Sequence, residues 1–289
     1  MSIWIRRREF IAALGGAAAW PMTGCTQQDD RVRALQMRVL RLQVEAAAKM
    51  IGQFIKGIES QVGWTTQLPW SAGNFDQRRF DGLRLLHQVP AITELVQLDS
   101  TGKEQLEVSR GQACPIAGDC NVGRNDGDYS KDPKFTEAVA HRVYYGPVYL
   151  RRQTAPYMTL SLAGTGRDAG VSVAEVSLTL VWDLVRELKV GERGVGHILD
   201  GQGHVIAHSD FDTHGPDTKE RVESLFQRDF SSLAYVQAAR AAGAAGNGAV
   251  QIGRDLSGHD VLVAYTTIPP LDWLIFVEVP VEDADAIAR

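Results

Sequence analysis

Residues 128–162 read DYSKDPKFTEAVAHRVYYGPVYLRRQTAPYMTLSL, a helix signal followed by two strand signals. Asp132 and Pro133 are typical of a helix start, because aspartate caps free backbone amides and proline fits the first turn. We therefore expect a helix that continues through Ala140. The segment 143–162 is rich in Tyr, Val and Leu and predicts two strands, with Gly146-Pro147 as the break between them.

Helix and strand signals continue on both sides of this stretch. The predicted elements are a helix at 76–88, strands at 93–99 and 104–110, a strand at 170–178 and a helix at 180–188. Pro90 stops the first helix, and Gly102 supplies the positive φ that the turn between the first two strands needs. We place the end of a first lobe, residues 63–189, just after the second helix.

The second half of the chain repeats this plan in a shorter form. Strands are predicted at 196–200, 204–208, 249–252, 261–266 and 273–279. The Ala/Gly-rich run 238–248 is interpreted as a flexible loop or a frayed helix end, and Trp273 is expected to be buried after a proline corner at 269–272. We expect residues 190–282 to form the second lobe and 283–289 a tail. Antiparallel strands interleaved with helices predict an α+β fold.

One long helix is predicted before both lobes, over residues 30–62. Its apolar residues recur every three or four positions, at Val32, Leu35, Val39, Leu42, Ala46, Met50, Phe54 and Ile58. This helix is more than twice as long as an average globular helix. We expect it to run along both lobes, to pair with the same helix of a second copy, or to do both.

Residues 1–29 have the build of an export signal. Arg6, Arg7 and Arg8 precede Phe10 and Ile11, and a mild Ala/Gly-rich stretch follows. This order resembles a twin-arginine signal, and the apolar run is too short to span a bilayer. Cys25 stands where the lipidated cysteine of a lipobox would stand, although Met22 is a poor match, so lipid attachment stays open. The expected location is the periplasm or cell envelope.

Charge and composition exclude one class of partner. The 289 residues carry a net charge of −5, with no basic stripe beyond the first ten residues. Nucleic-acid-binding domains concentrate Lys and Arg on one face, so we expect no nucleic-acid partner. The apolar content of 44% is that of an ordinary globular protein.

Cysteines and histidines leave several interpretations open. Cys114 and Cys120 lie in a loop rich in Gly, Asp and Asn, where an oxidising compartment favours a disulfide over free thiols. A metal site there would need more ligands, with His141 the nearest downstream. His204 and His208 are four residues apart and would share a face of a strand, which permits a metal but also suits core histidines. We predict no metal, no cofactor and no catalytic residue, since no nucleophile with a base is evident.

Several of these segments together resemble the double Cache family of extracytoplasmic sensor domains. The resemblance rests on residues 128–135, Tyr145-Gly146-Pro147-Val148-Tyr149 and Pro156-Tyr157-Met158-Thr159, and on residues 194–210 and 268–273 for the second lobe. It covers about residues 35–280. It implies two PAS-like lobes behind a long helix, a membrane-distal lobe with the ligand pocket, and a non-catalytic sensing function.

The family resemblance also implies partners. Such domains sit between membrane helices in front of a sensor kinase, a chemoreceptor or a nucleotide cyclase. No apolar run after Ile275 is long enough to cross a membrane, so we expect either a free or lipid-anchored binding subunit, or a remnant that lost its output domain. The alternative function is a structural or dimerising interaction protein that binds no small molecule.

The candidate ligand site follows from strand alternation in the first lobe. Side chains at alternate positions of a strand lie on the same face of the sheet. The apolar set faces the core, so we expect the polar set to face a cleft. The candidate residues are Tyr144, Tyr149, Arg151, Tyr157, Thr159, Glu175 and Ser177. Family members that bind amino acids use aromatics, an arginine and an acidic residue here, and Glu175 falls where the family has its aspartate. An arginine placed after Tyr149 instead of before it departs from that motif.

The ligand class stays broad at this level. An amino acid, an amine or an organic acid would fit, and aromatic walls with one carboxylate would also suit an organic cation. A competing interpretation pairs Arg151 with Glu175 across the sheet as a purely structural contact.

Overall fold

The computed structural model describes residues 23–67, 75–110, 120–151, 155–166, 168–188, 193–210 and 218–286. Its helices are α1 (Thr23–Gly63), α2 (Phe75–Gln88), α3 (Pro133–His141), α4 (Thr179–Glu187), α5 (Thr218–Phe226), α6 (Ala234–Ala242) and α7 (Val281–Ala286). Its strands are β1 (Ile92–Leu98), β2 (Glu104–Arg110), β3 (Cys120–Gly123), β4 (Val143–Arg151), β5 (Ala155–Ala163), β6 (Val171–Ser177), β7 (Val195–Leu199), β8 (Val205–His208), β9 (Ala249–Arg254), β10 (Asp260–Ile268) and β11 (Trp273–Pro280). Arg6, Arg7, Arg8, Cys114 and the side chain of Cys25 lie outside these residues, so the export, disulfide and lipidation hypotheses stay predictions.

The strands form two separate antiparallel sheets, which confirms the α+β class. The first sheet has the order β3-β2-β1-β6-β5-β4 and the second the order β8-β7-β11-β10-β9. Helix α3 packs on β4, β5 and β6 of the first sheet, while α6 packs on β9 and β10 of the second. Each sheet therefore has one face toward its own short helices.

Helix α1 covers the other face of both sheets. It packs against β5 and β6 of the first sheet and against β9, β10 and β11 of the second. The buried positions of this helix recur every three or four residues, at Leu40, Val44, Ala47, Ile51, Ile55, Ile58 and Val62. This spacing keeps one stripe of the helix on the core, so a single element joins the two sheets.

A recurring turn marks the same place in each sheet. The carboxylates of Asp99 and Asp200 each accept hydrogen bonds from the backbone amides two and four residues later. Gly102 and Gly203 close these turns with φ of 84° and 97°, values that favour glycine because it has no Cβ. The predicted role of Gly102 is confirmed. Each turn directly follows a strand, β1 in the first sheet and β7 in the second, so these two strands occupy corresponding positions.

The expected break at Gly146-Pro147 is wrong. Strand β4 continues through both residues, and two residues between Tyr145 and Val148 face a single residue between their partners Leu160 and Met158. This arrangement is a β-bulge. It is tolerated because β4 is an edge strand of the sheet, where a proline without an amide hydrogen removes no essential ladder bond.

Other elements differ from the sequence predictions at specific places. Helix α1 begins at residue 23 instead of 30, α5 lies in a polar stretch for which no element was predicted, and β3 was also missed. The run 238–248 contains the end of α6, whose Tyr235, Val236 and Ala239 are buried. Trp273 is only 5% exposed, as predicted. No helix among the described residues combines the length and apolarity needed to cross a membrane.

Candidate functional site

Polar side chains gather on the face of the first sheet that α3 covers. Tyr149 of β4 pairs with Tyr157 of β5, and Thr159 of β5 pairs with Glu175 of β6. Residues opposite each other in neighbouring strands point to the same face. The intervening residues Met158 and Leu160 take the opposite face and are buried in the main core. The predicted alternation therefore holds across all three strands.

Glu175 is the centre of this cluster. Glu175 is 7% exposed, and its carboxylate accepts hydrogen bonds from the Tyr149 hydroxyl at 2.5 Å and from the Thr159 hydroxyl at 2.8 Å. The ammonium of Lys134, in the first turn of α3, lies 3.2 Å from the same carboxylate. A buried carboxylate is stabilised by such charge-assisted bonds. The ion pair of Glu175 is therefore formed with Lys134. The competing interpretation had named Arg151 as its partner.

The pKa values of the neighbours reflect this carboxylate. Burial alone would lower the pKa of Lys134, but the charge and hydrogen bond of Glu175 outweigh it and raise that pKa above the usual value. Burial raises the pKa of the Tyr149 hydroxyl, and its hydrogen bond to Glu175 raises it further. Both groups consequently stay protonated at physiological pH and act as donors.

Arg151 forms the more open side of the cluster. Its guanidinium carbon lies 5.4 Å from the ring centre of Tyr157, within the range of a cation–π contact. One of its nitrogens is 4.0 Å from the carboxylate of Glu94 on β1. Burial raises the pKa of Glu94, and the like charges of Glu107 and Glu175 add to this effect. The site thus contains two cations and two carboxylates beside two tyrosine rings, which lie 6.2 Å apart.

Two predicted site residues lie at the margins. Tyr144 packs against the small apolar cluster that contains Ala138 of α3, and it lines a cavity of about 410 Å³ between the two lobes, together with Pro147 and Trp273. The Ser177 hydroxyl lies 2.9 Å from the hydroxyl of Thr179 at the start of α4. The structure therefore brings together Tyr149, Arg151, Tyr157, Thr159 and Glu175.

Lys134 and Glu94 were missed as site residues. Lys134 lies four positions before the buried Ala138, and residues four apart share one face of a helix. A charged residue on the inner face of this amphipathic helix could therefore have identified Lys134 as a site residue. Glu94 reaches the site because β1 pairs with β6, which places Glu94 opposite Glu175, 81 residues later in the chain. No local pattern in the sequence gives that register.

The histidines considered as metal ligands lie apart. His204 belongs to the turn after β7, is exposed and lies 3.1 Å from the Asp200 carboxylate. His208 is buried at the end of β8, with its ring centre 6.0 Å from that of His197. In the part of the chain that the structure describes, no group of three or more His, Cys, Asp or Glu side chains could hold a metal.

Comparison with known proteins identifies structural relatives. The sensory domain of the Campylobacter jejuni chemoreceptor Tlp3 matches with a TM-score of 0.65 over 90% of this chain and 99% of that domain, at 13% identity. Its ligand-binding domain in complex with L-valine matches with a TM-score of 0.62 over 89% and 98%, at 14% identity. The extracellular domain of the proposed histidine kinase rpHK1S-Z16 gives 0.60 over 86% and 95%, also at 14% identity.

These likenesses concern the fold, since identities of this size carry no information about individual site residues. No family model matches the chain, and a search of curated proteins gives no match.

Proposed function

The chain has the double Cache fold, and we propose that it is a non-catalytic, extracytoplasmic module that binds a small molecule in the first lobe. The observation that carries the proposal is that two carboxylates, two cations and two tyrosine rings lie next to one another on one sheet face. Fold alone does not give function, so the argument depends on this chemistry.

The charges favour a ligand that bears both an ammonium and a carboxylate. Tyrosine rings and carboxylates attract an ammonium group, while Arg151 and Lys134 attract a carboxylate. The side chain of Arg151 is 47% exposed, against 35% for Lys134, and its contact with Glu94 is long at 4.0 Å, so Arg151 is the more accessible of the two cations. Among amino acids, amines and organic acids, amino acids satisfy both sets of groups. The Tlp3 domain, with the same fold, has been solved with L-valine.

Strand β4 connects this site with the long helix. Tyr149 contacts Glu175 on one face of the strand, and Tyr145 donates a hydrogen bond to Glu59 of α1 on the other face. A ligand that draws the Tyr149 hydroxyl away from Glu175 would therefore displace a strand that is bonded to α1. We propose that α1 transmits this change to a membrane-bound sensor kinase, cyclase or chemoreceptor.

A thermal-shift screen tests the binding function. Free amino acids, amines and organic acids are added one at a time, and we expect a compound with both an ammonium and a carboxylate to raise the melting temperature, because it binds the folded state only. Glu175→Gln should abolish this shift. The matched control Glu220→Gln, an exposed position on α5, should keep it.

The outcomes separate site and function. A shift that persists in Glu175→Gln, together with a lowered unliganded melting temperature, would make Glu175 structural and place the ligand elsewhere. The absence of a shift with all three compound classes would contradict the binding function and favour the alternative of a dimerising interaction protein.

A further inference from the structure

A second buried carboxylate occupies the position in the second sheet that Glu175 occupies in the first. Glu175 of β6 pairs with Glu94, five residues before the aspartate of the first recurring turn. Glu278 of β11 pairs with Val195, five residues before the aspartate of the second turn. Each carboxylate also accepts a hydrogen bond from a tyrosine hydroxyl, Tyr149 in the first sheet and Tyr235 of α6 in the second.

The partners of the two carboxylates differ in charge. Glu175 has the ammonium of Lys134 beside it. Glu278 is 7% exposed, and among the described residues no lysine or arginine forms an ion pair with it. Its basic neighbour is His197 of β7, whose Nε2 lies 3.5 Å from the Glu278 Oε1. A buried carboxylate without a cation is expensive in free energy unless it takes up a proton.

His197 is positioned to share such a proton. The residue is fully buried, and its ring lies 5.1 Å from Phe276 and 4.9 Å from Phe230, measured between ring centres. Among the residues that the structure describes, neither of its ring nitrogens has a hydrogen-bond partner. An unpaired buried imidazole is costly, and a protonated carboxyl group at Glu278 would give its Nε2 a donor.

We propose that Glu278 and His197 form a proton-binding site inside the second lobe, through which this lobe responds to the pH of its surroundings. Uptake of one proton by the Glu278 carboxylate removes a buried negative charge and creates an O–H donor directed at the His197 Nε2. Release of the proton restores the charge next to the Tyr235 hydroxyl. Since Tyr235 belongs to α6, the packing of this helix on the sheet depends on the protonation state.

The groups around the pair favour titration close to neutral pH. Burial raises the pKa of Glu278 to about 7. The hydrogen bond from Tyr235 lowers this pKa, and the negative charge of Asp255 raises it. Burial lowers the pKa of His197 well below its usual value, and His208 of β8 lowers it further. The neutral amide of Gln251 on β9 lies on the same sheet face as Glu278, because both residues pair with Val263 of β10. The proton of the pair is therefore carried by Glu278 and not by His197, and near pH 7 about half of the Glu278 carboxyl groups hold it.

Carboxyl ¹³C NMR of the wild-type protein tests the proposal without a substitution. As the pH is raised from 4 to 9, we expect one glutamate carboxyl to titrate at about pH 7, well above the pKa of 4.5 of an ordinary glutamate. The same transition should shift the ring signals of His197. If no glutamate carboxyl titrates above pH 6, the proposal is overturned.

Two variants assign the signal. Glu278→Gln should remove the transition near pH 7, whereas Glu94→Gln, which changes another carboxyl with a raised pKa, should leave it in place. Loss of the transition in Glu94→Gln instead would assign the proton to the first lobe and contradict the proposal.

Discussion

Equivalent carboxylates in the two sheets differ in the charge of the groups beside them. Glu175 is neutralised by Lys134, whereas Glu278 has a folded-state pKa of about 7 against 4.5 for an ordinary glutamate. A raised carboxyl pKa contributes stability that is fully present below pH 4.5 and is lost as the pH rises to 7. His197, with a lowered pKa, contributes stability that is lost as the pH falls below 6.5. Between pH 4.5 and 6.5 the two effects oppose each other.

Glu278→Gln should therefore stabilise the protein at alkaline pH. The glutamine can still accept the Tyr235 hydroxyl bond, and its amide can donate to His197, but it carries no charge to bury. We expect little change at pH 4.5 and a gain of at most about 3 kcal/mol at pH 8, because the folded-state pKa of Glu278 is about 7 against 4.5 for an ordinary glutamate. Urea unfolding at both values measures this. A variant less stable than the wild type at pH 8 would contradict the expectation.

The sequence was sufficient for the side chains of the site that lie on adjacent strands. Alternation placed Tyr149 with Arg151, and Tyr157 with Thr159, because period 2 is a local property of a strand. It could not give Lys134 or Glu94, which depend on how α3 packs and on a strand pair of high sequence separation. The same limit explains why the competing interpretation paired Arg151 with Glu175, whereas the structure places Arg151 beside Glu94.

At the scale of elements, α1 leaves an apolar stripe uncovered. Leu35 is 61% exposed, and Val39, Leu42 and Met50 continue the stripe at steps typical of paired helices. This face lies opposite the buried positions of the helix. A second copy of α1 would cover it, so we expect a homodimer.

Charges on this stripe test the dimer. The double variant Leu35→Glu and Leu42→Glu should be monomeric, because two carboxylates would be buried in the apolar contact. Phe80→Glu on α2 is the matched control, since Phe80 is also 61% exposed and lies elsewhere. Light scattering gives the masses. A monomeric wild type at every concentration, or equal dissociation in the control, would reject the α1 interface.

Long periodic elements were predictable and short ones were not. Helix α2 begins within one residue of its prediction and ends at the predicted residue, because its start, apolar face and proline stop are all local signals. Strand β3 has four residues and is held at the sheet edge by β2, which no local pattern reveals. Helix α5 buries Val222, yet its short amphipathic pattern stands in a polar stretch and was overlooked.

At the scale of the whole molecule, the proposed function requires export. Changing Arg7 and Arg8 to lysine should keep the protein in the cytoplasm, because the twin-arginine pathway reads the arginine pair. Cell fractionation with an antibody against the chain measures its location. Arg31→Lys with Arg33→Lys, outside the leader, serves as the control. Unchanged periplasmic recovery of the Arg7 and Arg8 variant would contradict the twin-arginine hypothesis.

The bulge at Gly146-Pro147 has a consequence for how this protein tolerates insertions and deletions during evolution. Tyr144 and Tyr149 are an odd number of residues apart, yet both lie on the α3 face, because the bulge adds one residue to β4. Loss of one bulge residue would restore regular alternation with every side chain on its present face. Loss of one residue on either side would turn the neighbouring tyrosine toward α1. Related chains should therefore differ in length at the bulge while keeping the length of the strand around it.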